Sequence, residues 1–120
     1  MIEELIGKIF CTRNKTHVAH WKTKSYAQHK ALGSFYEDVI ELLDDLVEAY
    51  QGNFGIIGKV AYEEEYDDSK VDCIKCLTED VTWIAEHRSR IAQEVDALEN
   101  IVDEITGLYL KTLYKLENLS

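Results

Sequence analysis

From Ile2 the apolar residues Leu5, Ile6, Ile9 and Phe10 recur every three or four positions, and the same stripe continues through Thr16 or His17 to His20 and Trp21. That period turns one face of a helix toward a core, and it predicts a first helix over residues 2–24. A second stripe, beginning Ala31, Leu32, Phe35, Val39 and running on to Tyr50, predicts a second helix over 26–51, closed by Gly52, since a helix C-terminus commonly ends on glycine. Val71, Ile74, Leu77, Val81 and Ile84 predict a third helix over 70–94. Leu98, Val102, Ile105, Leu113 and Leu116 predict a fourth over 97–118. Asp96 and Glu99 have the spacing of a capping box, which puts the turn between the last two helices just before Asp96.

The joints between these helices are unequal. The first and last are short and make antiparallel neighbours. The middle one, residues 52–69, holds Gly52, Gly55 and Gly58 and the acidic run Glu63 to Asp68. About 17 residues can extend over roughly 50 Å, whereas a helix of about 22 residues is roughly 33 Å long. The segment can therefore travel the full length of a bundle. The expectation is one all-α domain over residues 1–120, a four-helix bundle with a long crossover between its second and third helices. Gly58-Lys59 is not a phosphate loop, because Val60 stands where Ser or Thr would reach magnesium.

Composition narrows the function classes. Proline is absent, and 23 acidic against 13 basic residues give a net charge of -10, which weighs against direct nucleic-acid binding. No apolar run approaches the roughly 20 residues that span a bilayer, so no membrane association is expected. Glu3 and Glu4 stand where a signal peptide would be basic, and the expected location is the cytoplasm. Cys11, Cys73 and Cys76 are an odd set that reads as buried thiols at helical spacing. His87, flanked by Glu86 and Arg88, reads as exposed.

The other histidines carry candidate chemistry. His17 and His20 lie one turn apart on the apolar stripe of the first helix, and His29, Gly33, Glu37, Glu41, Asp44 and Glu48 follow down one side of the second. Imidazoles with carboxylates are ligands for a hard or borderline metal ion; a solvated acidic face is the plainer alternative.

His20-Trp21, His29, and then Asp44 and Glu48 one turn apart resemble the signature of the Dps-type mini-ferritins, over about Thr16 to Gly52. Short ferritin-like proteins encoded by tailed phages look similar as well, including the Thr112-Leu-Tyr-Lys-Leu116 tail. The resemblance implies a ferritin-like bundle and a metal site, iron or alternatively zinc, made by His20 and His29 of one subunit with Asp44 and Glu48 of its two-fold mate, with His17 and Glu37 as further candidates. It implies a homo-oligomer, a dimer at minimum and up to a twelve-subunit shell, in the host cytoplasm if phage-encoded. Oxidation of Fe(II) is the chemistry it implies. Gly33 departs from the pattern, standing where the family has another acidic ligand, and this leaves turnover open. No Glu-x-x-His occurs at any of the four histidines, so an intrasubunit di-iron site of that kind is excluded.

Two other readings stay beside that one. The bundle could serve as an assembly scaffold that binds or sequesters a host protein or a small-molecule nucleotide signal in a counter-defence role, through Lys59 and Tyr62 in the Gly52–Asp68 loop. Or it could be a ligand-free oligomer, anchored by Trp21, Tyr26, Phe35 and Tyr36.

Overall fold

Four helices account for most of the chain in the computed structural model, which describes residues 1–62 and 66–120. They are α1 (Ile2–Lys22), α2 (Tyr26–Phe54), α3 (Cys73–Ala92) and α4 (Asp96–Asn118), with a 3-10 turn at Asp68–Lys70. Among the described residues there is no strand. The apolar stripes supply the core, in which Ile2, Leu5 and Ile9 of α1 meet Phe35, Val39 and Leu46 of α2, Leu77 and Ile84 of α3, and Leu98, Ile105 and Tyr109 of α4. Phe35 sets its ring edge-on to Tyr109 at 5.0 Å. It is fully buried and so is a core residue, not the interface anchor expected of it.

The helix ends differ from the sequence expectation for local reasons. α1 stops at Lys22, and Ser25 caps α2 by accepting a hydrogen bond from the Gln28 amide at 3.2 Å. α2 does not stop at Gly52. It continues for one more half-turn, Tyr50 and Phe54 bringing their rings to 4.9 Å. The terminator is Gly55, whose φ of 94° is costly for any residue with a Cβ and whose N–H donates to the Gln51 carbonyl at 2.9 Å. At the other joint Asp96 is the first residue inside α4, and its N-cap is Val95, without a side-chain bond. The capping box does not form. Glu99 instead accepts from Arg88 Nη1 at 2.6 Å, while Arg88 grips Asp103 with Nε and Nη2 at 2.6 and 2.8 Å. This fork ties α3 to α4 beside the left-handed pair Gln93 and Glu94.

α1 packs between α2 and α3, and α4 packs on the same two helices, so α2 and α3 stand diagonally. The C-terminal ends of α1 and α4 and the N-terminal ends of α2 and α3 gather at one end of the molecule, around a groove of about 550 Å³ lined by Lys22, Gln28, Cys73 and Leu116. The segment between α2 and α3 lies along α1. Gly58 N–H donates to Glu3 Oε2 at 2.8 Å, the Ala61 carbonyl rests on Gly7 where a Cβ would stand, Tyr62 stacks on Phe10 at 5.8 Å, and Lys15 lies over Tyr66. The expected run Glu63-Glu64-Glu65 lies outside the described residues. The Gly58 amide holds the Glu3 carboxyl down to about 2.

Two smaller expectations are corrected. His87 is half-buried, stacked on Trp83 at 4.1 Å with Nδ1 donating to the Trp83 carbonyl at 2.7 Å. The three cysteines are free thiols that are half-buried and not fully buried, and Cys73 packs against the edge of the core. Burial pushes Cys73 up to about 11 and also raises Cys76, which leaves both as thiols and disfavours their use as thiolate ligands.

Candidate functional site

The corner between α1 and α2 is built by a three-residue turn. Thr23 Oγ1 donates to Gln28 Oε1 at 2.8 Å and accepts from the Ser25 amide at 3.2 Å. The short turn folds the end of α1 back on the start of α2, which sets the His20 and His29 rings face to face at 3.8 Å, 19° from parallel. Their hydrogen bonds are reciprocal. His20 Nδ1 reaches the His29 carbonyl at 2.6 Å, and His29 Nδ1 reaches the His20 carbonyl at 2.8 Å. A carbonyl only accepts, so each Nδ1 carries a proton, and the neutral ring then keeps a lone pair on Nε2. Neither Nε2 has a hydrogen-bond partner among the described residues.

Gly33 lies against the His20 ring of this pair. A Cβ there would come within 2.9 Å of His20 Cε1 and 3.1 Å of Nδ1. The glycine that breaks the mini-ferritin pattern is therefore what lets the His20 ring approach α2 this closely. His17, one turn earlier, stacks on Tyr36 at 3.8 Å and meets Trp21 at 4.4 Å. Arg13 lies over the other part of this group, 5.5 Å from the Tyr36 ring. Desolvation by these neighbours, then the charges of Arg13 and His20, lower the His17 pKa, against the raising pull of Glu37. Trp21 and Tyr26 are 66% and 74% exposed, which makes the corner an aromatic surface around two imidazoles.

Asp44 and Glu48 are exposed on α2, far from that corner. At 1.5 Å per residue, Asp44 lies about 22 Å and Glu48 about 28 Å along the helix from His29. Glu37 is also exposed and lies between His29 and Asp44 along the helix. Among the described residues, no three His, Cys, Asp or Glu side chains of one chain converge where a metal ion could sit. Lys59 is exposed; Tyr62 is 63% exposed and packs one ring face on Phe10.

One polar cluster escaped the sequence reading. Asp80 on α3 is 8% exposed, and its Oδ2 accepts from Thr12 Oγ1 of α1 at 2.6 Å and from Tyr109 OH of α4 at 2.8 Å. Burial raises the Asp80 pKa against these two donors, and raises that of Tyr109 as well. The spacing Leu77, Asp80, Ile84 was the available signal, because it puts the carboxylate on the buried stripe.

The profile of a family of unknown function, DUF5856, matches residues 20–116. The chain belongs to that family. The match begins at His20 and takes in the corner, α2, α3 and most of α4, so the reciprocal histidine pair belongs to a DUF5856 chain. The chain is also similar to the uncharacterized 14.6 kDa protein of the mobD-ri intergenic region of Enterobacteria phage T4, 29% identical over 118 residues, covering 95% of this chain and 86% of that one. No solved structure matches significantly. No helix among the described residues is long and apolar enough to cross a membrane.

Proposed function

We propose that this DUF5856 protein is an oligomeric metal-binding protein of ferritin-like type, its site shared between two copies in the host cytoplasm of a phage. The observation that carries the reading is the reciprocal clasp of His20 and His29, which fixes the tautomer of each neutral ring and leaves an Nε2 lone pair on each of two stacked imidazoles. A histidine ligand whose second nitrogen is held by a backbone carbonyl is the usual arrangement at metal sites. The segment between α2 and α3, lying along α1, agrees with a ferritin-like bundle.

The carboxylates would come from a second copy. His29 and Gly33 are four residues apart, as are Asp44 and Glu48. One antiparallel register of α2 on α2 thus sets Glu48 opposite His29 and Asp44 opposite Gly33, the position against which the His20 ring rests. Iron or zinc is the class of ion that two imidazoles and two carboxylates suit. Iron, when bound there, would supply an electron donor to peroxide or oxygen. The residues of this chain hold and orient: the two backbone carbonyls accept from Nδ1 of each ring, so that Nε2 of the neutral imidazole is the nitrogen left to bind an ion.

The test is an anaerobic Fe(II) and a Zn(II) titration of the purified oligomer, with its mass determined in the same run. Binding of about one ion per shared site, abolished separately by His29→Ala and Asp44→Ala, is expected. Unchanged binding in both variants would overturn the site.

A second reading is favoured by Ile56 and Tyr62, 84% and 63% exposed on the segment that lies along α1. Here the bundle is a scaffold for a host protein or a small ligand bound at that segment. A metal-indifferent oligomer whose recognition is lost in Tyr62→Ala would establish it.

A further inference from the structure

The outer face of α4 carries a glycine that nothing in the chain explains. Gly107 sits in the middle of the helix, where glycine is disfavoured, and a Cβ there would meet no atom within 4 Å. Gly7 and Gly33 each admit a close neighbour; Gly107 admits none from its own chain. Three and seven residues further along the same face stand Leu110 and Tyr114, 52% and 60% exposed. The charges around Gly107 are asymmetric. Asp103 and Glu104 precede it and Lys111 follows, and neither Glu104 nor Lys111 has an ion-pair partner among the described residues.

We infer that this face docks on the same face of a second copy, α4 crossing α4 antiparallel with the two Gly107 residues at the crossing point. The pattern is self-complementary. Lys111 lies four residues after the glycine and Glu104 and Asp103 three and four before it, so in an antiparallel crossing each lysine comes beside the other copy's Glu104, which has no ion pair among the described residues, and opposite its Asp103, which Arg88 already holds. A parallel crossing would set acid on acid. Glycine lets the two backbones approach, and Leu110 and Tyr114 of each copy close over the contact. A two-fold contact of this kind uses one patch twice. It lies on a different helix from the histidine corner and does not depend on metal. Together with the α2 pairing proposed above, it would carry the assembly beyond a dimer.

The experiment is mass measurement by light scattering over a concentration series of the full chain and of Gly107→Arg, with Gly107→Cys and Gly52→Cys compared under oxidising conditions. Gly52 is the control because it too is a helical glycine with no neighbour within 4 Å. Gly107→Arg relieves the helix of a glycine and its Cβ meets no atom of its own chain within 4 Å, so folding, followed by circular dichroism, should be kept. The expected result is at least a ten-fold weaker association of Gly107→Arg, with a disulfide-linked dimer formed by Gly107→Cys and not by Gly52→Cys. A parent that stays at 13.8 kDa throughout, or a Gly107→Arg mass equal to the parent's with no preference for cross-linking at 107, would overturn the inference. Loss of metal binding in the His29→Ala protein leaves these masses as the readout of the α4 contact alone, so the two proposals fail separately.

Discussion

Two polar clusters lie within a few turns of each other on α1 and behave oppositely. Thr12, Asp80 and Tyr109 sit inside the bundle, and both hydroxyls spend their hydrogens on one carboxylate oxygen. His17, His20 and His29 sit at its corner, half-buried, and Nε2 of both His20 and His29 is without a hydrogen-bond partner among the described residues. The first cluster is closed and pins three helices in register. The second has bonding capacity left over. A buried polar group that is satisfied within the chain reads as structure, whereas organised groups with open valences at a surface read as a place for something else to bind.

The sharpest way to break this comparison is at Asp80. Asp80→Ala orphans the hydroxyls of Thr12 and Tyr109 in the core and should cost about 3 kcal/mol, seen as a lower midpoint in urea. Metal affinity should not change. A variant that loses metal binding while still folded would show that the clusters are coupled.

Gly33→Ala comes next. At an unconstrained helix position it would stabilise by about 0.5–1 kcal/mol; here the new Cβ meets the His20 ring, so a net loss of about 1 kcal/mol is expected. Zinc titration should weaken in parallel. Stabilisation with unaltered binding would mean that the ring can leave Gly33 freely.

The smallest effect concerns His17. Its folded pKa lies below the ordinary value of 6.5, so between the lowered value and 6.5 the unfolded chain binds more protons than the folded one. Stability therefore rises with pH through that window and levels off above it. Urea midpoints taken from pH 5 to 8 should show this rise, and His17→Gln should flatten it.

All four helices were legible as stripes, because a 3.6-residue apolar period has few other uses. Their ends were less so. Gly52 looked like a terminator, yet the Tyr50–Phe54 contact carries α2 past it; Asp96 looked like a cap, yet its partner Glu99 is taken by Arg88 from another helix. Such competitions are settled by side chains distant in sequence. The candidate ligands His20 and His29 could be singled out from spacing, but not their mutual hydrogen bonding, which depends on how closely α1 and α2 cross. Asp80 was hidden among Thr78, Glu79 and Thr82, where a run of polar residues suggests a wet face.

The fit of Gly33 against His20 also constrains how this corner can change over generations. A carboxylate arriving at position 33 would collide with the imidazole it is meant to assist, and a lineage that first surrendered His20 would have nothing left there for it to assist. A side chain at position 33 calls for a displacement of the His20 ring as well, so the two positions are expected to vary together, and a DUF5856 chain with His20 should be found with glycine at 33.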